Sequence, residues 1–173
     1  MLRTLTSVHF AEFSDAPSHN HAMRLAYERE KGAEDVRRSH MFHGRYENIY
    51  IDRARLPELE PIADFAHEMA KRVLGKERLR YGFWFNEMQP GHRTTLHSHE
   101  EIDELLSAVY YIESPPESGR LILHDDEAQI DVTPRPGLLV LFPPDLPHEV
   151  ETNQSQATRL SLAFNFGPPT PET

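Results

Sequence analysis

The chain has 173 residues, a net charge of −10 with histidine neutral, and no cysteine. That length suits one domain with a buried core. The acidic balance argues against a nucleic-acid partner, and the missing cysteines exclude disulfides, thiolate metal sites and cysteine nucleophiles.

No apolar run reaches the length of a membrane span, so no membrane partner is expected. The start, Met1-Leu2-Arg3-Thr4-Leu5, lacks the apolar stretch of a secretory signal, and a cytoplasmic location is the expectation. Residues 1–55 are mixed in character, with a helix expected over 19–31 and a short extended piece over 46–52. The clearest helix follows. Leu56, Leu59, Ile62, Phe65, Ala66, Met69, Val73 and Leu74 recur at three- and four-residue intervals. Pro57 or Pro61 suits its first turn, and Gly75 stops it with Lys71 and Arg72 in the last turn.

From Leu79 the period changes from 3.6 to 2. Strands are expected over 81–86, 94–99, 107–112, 121–124, 130–132, 138–142, 148–151 and 159–166. Between them lie turn signals such as Gln89-Pro90-Gly91, the Pro-rich stretch 114–119, and Pro143-Pro144-Asp145-Leu146-Pro147. Short strands broken by turns at this spacing indicate a mainly β fold, a jelly roll of the double-stranded β-helix or cupin-like kind, with the N-terminal helices packed on one sheet. The domain then divides into residues 1–78 as helical support and lid, 79–166 as jelly-roll core, and 167–173 as a frayed tail.

In the last strand Arg159, Ser161, Ala163 and Asn165 share one face, and Leu160, Leu162, Phe164 and Phe166 the other. If the apolar face packs against the 56–74 helix, Arg159 and Ser161 point into the barrel. That would build a ligand cavity.

Eleven histidines are present. His9, His19, His21, His40 and His43 read as surface or loop residues, His67 falls on a helix, and His124 stands at a strand end. His97 and His99 are different. At i and i+2 on a strand they face the same way, and His148 arrives from a distant strand after Leu146-Pro147. Imidazoles without thiolates suit Fe(II), Cu(II), Zn(II), Ni(II) or Mn(II). Arg159 adds a guanidinium able to grip a carboxylate through two parallel charge-assisted bonds, and Ser161 stands beside it. Three imidazoles followed by such an arginine suit a non-haem iron oxygenase with a keto-acid cosubstrate. The ordinary alternatives are strand histidines bonded to their neighbours, and an ion pair of Arg159 with Glu149 or Glu151. Tyr110 and Tyr111 lie on opposite faces, so one of the two can line the pocket.

A longer set of pieces carries a family resemblance. In order these are Trp84-Phe85-Asn86, Gly91, His97-Ser98-His99, Val109-Tyr110-Tyr111-Ile112, Ser118-Gly119, Thr133-Pro134-Arg135-Pro136-Gly137, Leu141-Phe142-Pro143, Leu146-Pro147-His148, Arg159-Leu160-Ser161 and Phe164-Asn165-Phe166. Together they resemble the bacterial 2-oxoglutarate/Fe(II)-dependent oxygenases of the prolyl-hydroxylase-like group over residues 81–166. The resemblance implies a double-stranded β-helix, Fe(II) on His97, His99 and His148, and 2-oxoglutarate held by Arg159, with Ser161 and Asn86 as further contacts. It implies an enzyme that consumes O2, releases succinate and CO2, and hydroxylates an unactivated C–H bond of a small-molecule or peptide substrate. A homodimer is compatible with it.

The chain departs from the wider superfamily at one point. His99 stands where most members carry a carboxylate. Either three histidines bind the metal, or the register moves by two and His99 pairs with Glu101. Glu104 opens a second class of reading: Gly91, His97, His99, Glu104, Gly137, Pro143 and His148 approximate the two cupin motifs. A four-ligand cupin site would suit a metal-dependent dioxygenase or isomerase without 2-oxoglutarate, or a non-catalytic small-molecule-binding module. The segment 34–52 offers a lid, and nothing in it names the prime substrate.

Overall fold

Alternation of apolar and polar residues builds two antiparallel sheets that face one another. The computed structural model describes residues 2–42, 45–98, 103–125 and 128–169. In chain order the elements are β1 (Arg3–Leu5), β2 (Val8–Glu12), α1 (Ala16–Glu30), β3 (Arg37–Phe42), β4 (Arg45–Tyr50), two short 3-10 turns, α2 (Glu60–Leu74), β5 (Arg80–Met88), β6 (Thr94–His97), β7 (Leu106–Glu113), β8 (Leu121–His124), β9 (Gln129–Val132), β10 (Leu138–Phe142), β11 (His148–Val150) and β12 (Arg159–Gly167). The large sheet runs β1-β2-β10-β7-β12-β5-β4-β3, and the small one β6-β11-β8-β9. This is the expected mainly β jelly roll, a double-stranded β-helix with both helices on one sheet.

Helix α2 begins with Pro61 in its first turn and ends at Gly75, whose φ of 62° lets its N–H reach Lys71 O. Its buried residues Ile62, Ala63, Ala66 and Met69 share one core cluster with Leu160, Leu162, Phe164 and Phe166, the apolar face of β12. The polar face of β12 therefore looks the other way, between the sheets. Helix α1 is anchored by a buried polar side chain: Asn20 Nδ2 donates to Tyr111 O and Ile112 O, and Tyr110 Oη donates to Asn20 Oδ1 at 2.6 Å. A second apolar cluster, with Tyr111, Leu121, Leu123, Val140 and Phe142, fills the space between the sheets beside the cavity.

The N-terminal third differs from expectation. Residues 1–78 supply four strands as well as helices: β1 and β2 add to β10, and the β3–β4 hairpin adds to β5. These strands are short, polar or at the sheet edges, so they carry little period-2 signal. The segment 34–52 is mostly this hairpin and extends the large sheet. The last strand runs one residue past the expected core, to Gly167, and residues 170–173 lie outside the described ones. No helix among the described residues is long and apolar enough to cross a membrane.

Candidate active site

Two imidazoles meet across the small sheet. His97 at the end of β6 is the direct pairing partner of His148 at the start of β11, and their ring centres are 4.3 Å apart. Each ring is held by the same device. His97 Nδ1 lies 2.8 Å from Thr95 O, and His148 Nδ1 lies 2.8 Å from Leu146 O. A carbonyl can only accept, so both rings carry their proton on Nδ1 and their lone pair on Nε2. That is the tautomer a metal needs, with ring orientation fixed by backbone. His148 is buried against the Phe142 ring, 4.9 Å between centres, while His97 is exposed. The register of this pair of strands shifts just after His148, between His148 and Val150.

Arg159 stands across the cavity on β12, only 2% exposed. Its Nη1 donates to Gly119 O at 2.6 Å and Ser118 O at 3.4 Å, and its Nε has no partner among the described residues. Neither anticipated carboxylate reaches it: Glu151 pairs with Arg120, and Glu149 with His124. Burial draws the guanidinium below its ordinary value, partly offset by Tyr111. A buried cation without a counter-charge is costly, so it marks a place for an anion.

Tyr111 completes that place. Its ring centre is 5.0 Å from the guanidinium carbon, and its hydroxyl is buried without a partner among the described residues. Burial raises its pKa, and Arg159 works against that rise. Of the tyrosine pair, Tyr111 lines the cavity, whereas Tyr110 lies in the core beside Asn20. The sequence says that the two point apart. Which of them points inward depends on where β7 sits in the sheet.

Ser161 is buried on the cavity face of β12, directly opposite Asn86 on β5. Asn86 Nδ2 donates to Glu47 O at 2.9 Å and to Asn48 Oδ1 at 3.1 Å, so both of its amide hydrogens are engaged by β4. The cavity joining all these groups measures about 410 Å³ and is lined by His97, His148, Arg159, Ser161, Asn86 and Tyr111 among others. The β3–β4 hairpin closes its outer side with His40, Met41, Glu47 and Asn48. The sequence offers segment 34–52 as a lid but reads His40 as a surface or loop residue, because His40 sits in an edge strand with no periodic signal.

His99 and Glu101 lie outside the described residues. Among the described residues no three His, Asp or Glu side chains form a metal-holding group, so the pair His97–His148 needs a further ligand. Glu104 does not line the cavity. The donor set fits an iron and a dicarboxylate together: two Nε2 lone pairs on one wall, an uncompensated guanidinium and a hydroxyl on the other.

Comparison with known proteins follows the same line. Residues 83–167 match the family model described as the 2OG-Fe(II) oxygenase superfamily. No curated protein matches the chain in sequence. Among solved structures, a prolyl hydroxylase from Trichoplax adhaerens, in complex with a hypoxia-inducible-factor peptide, aligns with a TM-score of 0.74 at 13% identity over 94% of this chain and 84% of that one. A prolyl-4-hydroxylase from Pseudomonas putida aligns at 0.66 and 20% identity, over 95% and 89% of the two chains. EvdO2 from Micromonospora carbonacea, complexed with 2-oxoglutarate, aligns at 0.64 and 15% identity over 100% and 95%. At these identities the likeness is one of fold. Taken with the matched stretch, residues 83–167 carry a domain of the 2OG-Fe(II) oxygenase superfamily, whose non-haem enzymes use Fe(II), 2-oxoglutarate and O2.

Proposed function

We propose that the whole chain is one oxygenase domain that hydroxylates an unactivated C–H bond of a small-molecule or peptide substrate, with Fe(II) on His97, His99 and His148. His99 is assigned by the His-x-His spacing of the sequence alone. Arg159 grips the far carboxylate of 2-oxoglutarate, with Ser161 and Tyr111 donating beside it. Asn86 completes that wall as a further contact of the cosubstrate, its amide held in place by Glu47 O and Asn48 Oδ1. Fe(II), 2-oxoglutarate and O2 together supply the oxidising power, with succinate and CO2 as coproducts.

The protein's residues supply placement. The carbonyls of Thr95 and Leu146 hold two imidazoles with Nε2 toward the cavity. Phe142 and the apolar wall around Tyr111 exclude water from the deep end, which strengthens the pairing of Arg159 with a carboxylate. The observation that carries this reading is the buried guanidinium of Arg159, which has no carboxylate partner and lies beside the orphan Tyr111 hydroxyl. The test is an anaerobic Fe(II) titration with and without 2-oxoglutarate. A visible metal-to-ligand charge-transfer band that needs both components is the expected result. Metal binding with no effect of 2-oxoglutarate would overturn the assignment in favour of a cupin-type site.

A further inference from the structure

His40 breaks the pattern of its strand. It has a φ of 57°, a left-handed conformation that non-glycine residues adopt at a cost. Regular alternation would turn it away from its neighbours Ser39 and Met41. Instead His40 and Met41 both line the cavity, at its outer side. The ladder between β3 and β4 also skips it: Ser39 pairs with Asn48 and Met41 with Tyr46, with no pair at His40. Strain of this kind persists only where the surroundings over-determine it.

The surroundings here are a chain of hydrogen bonds whose directions follow from one fixed point. Glu47 O can only accept, so the Asn86 atom facing it at 2.9 Å is Nδ2. The same Nδ2 donates to Asn48 Oδ1 at 3.1 Å, which turns Asn48 Nδ2 toward His40 Nδ1, 3.0 Å away, and toward Tyr50 Oη. An amide nitrogen only donates, so His40 Nδ1 must hold a lone pair. Ser39 Oγ lies 2.8 Å from the same nitrogen and 3.3 Å from Tyr50 Oη, so its one proton serves either contact. The proton of neutral His40 therefore sits on Nε2. This is the reverse of His97 and His148, so His40 is a hydrogen-bond donor rather than a metal ligand.

We infer that His40 is a substrate-contacting residue, whose Nε2–H donates to a carbonyl oxygen of the prime substrate, with Asn48 and Asn86 as positioning residues. This rests on the oxygenase reading of the cavity. A neutral oxygen is favoured over a carboxylate. Among the described lining residues other than Arg159 no uncompensated cation faces this end, and the one carboxylate, Glu47, is already paired with Arg45 at 3.1 Å. Trp84 lines the same end, 6.1 Å from the Tyr50 ring, and offers a flat apolar surface for the body of such a substrate.

The test uses protein labelled with 15N-histidine and loaded with Zn(II) and 2-oxoglutarate, a complex that does not turn over. Two-bond 15N–1H correlation should report His40 as the Nε2–H tautomer, identified by its loss in His40→Phe, and Asn48→Leu should release it into a mixture of both tautomers. N-methylacetamide is the carbonyl probe, followed at the single tryptophan, with acetate as the anionic control. We expect a saturable N-methylacetamide response at Trp84, weakened at least about fivefold in His40→Phe, as loss of one hydrogen bond implies, and a weaker response to acetate. An Nδ1–H tautomer in the wild type, no saturable response, equal responses in both proteins, or a preference for acetate would overturn the inference. The Fe(II)/2-oxoglutarate absorbance titration separates the two levels. Its failure removes the oxygenase reading itself, whereas a normal band beside a failed probe titration removes only the role of His40.

Discussion

The two faces of β12 are made from one stretch of backbone and serve opposite ends. Leu160, Leu162, Phe164 and Phe166 are buried in the core cluster that also holds the inner residues of α2, and none of the four carries a polar side-chain atom to satisfy. Arg159, Ser161, Ala163 and Asn165 face the cavity, and there a buried guanidinium nitrogen has no partner among the described residues. The first face gains free energy from burial, roughly 25 cal/mol for each Å² of apolar surface removed from water. The second gives some of it up, because a charge held out of water is unfavourable until an anion arrives. A strand can afford an unsatisfied face when its other face is so well packed.

That contrast can be broken at several points. The largest effect is expected on the metal wall: His148→Ala should abolish Fe(II) binding and turnover together, measured by metal analysis of reconstituted protein and by succinate release. Retained iron would move the site elsewhere. On the apolar face, Phe164→Ala should cost about 3–5 kcal/mol of stability by opening a cavity under α2, read from urea unfolding. At temperatures where it remains folded, its charge-transfer band should persist. Arg159→Ala should leave iron binding nearly intact while weakening 2-oxoglutarate by about 2 kcal/mol or more, as loss of a charge-assisted pair implies. Equal loss of iron and cosubstrate affinity would count against its assigned role. Tyr111→Phe removes one hydroxyl and should weaken 2-oxoglutarate by about 1 kcal/mol, with little change in unfolding.

The smallest effect belongs to α1. Burial pushes the Glu87 carboxyl up, but hydrogen bonds from Tyr27 at 2.5 Å and Gln89, and the charge of Lys31, bring it below its ordinary 4.5. A lowered carboxyl pKa means that its stabilising contribution is complete above the unfolded value and is lost as pH falls through the folded one. Between wild type and Glu87→Gln the gap in unfolding midpoint should therefore be open above 4.5 and narrow below it.

The sequence makes the core legible and the edge obscure, for physical reasons. Strands β5 to β12 fall within a few residues of expectation because short apolar or alternating runs, such as the fully buried β10 and the alternating β9, are bounded by Pro and Gly turn signals. Helix α2 is clear from its three- and four-residue spacing and from Gly75. Strand β3, with Arg37, Arg38, Ser39 and His40, buries no face and leaves no comparable trace. The candidate site divides the same way. His97, His148, Arg159 and Ser161 can be named from alternation plus chemistry, and their side chains do line one cavity. Tyr111 could be narrowed only to one of two. The orientation of His40 follows from a backbone dihedral and from amide directions, neither of which is written in residue types.

The lone charge of Arg159 also reaches beyond catalysis. A folded state that carries an uncompensated cation gains most from the ligand that neutralises it, and such a ligand has little affinity for the unfolded chain. If Arg159 holds the cosubstrate as proposed, 2-oxoglutarate should act as a thermal protectant of this protein. Its melting temperature should climb with the logarithm of 2-oxoglutarate concentration, so that abundance in a cell would follow the supply of a central metabolite as well as the rate of synthesis.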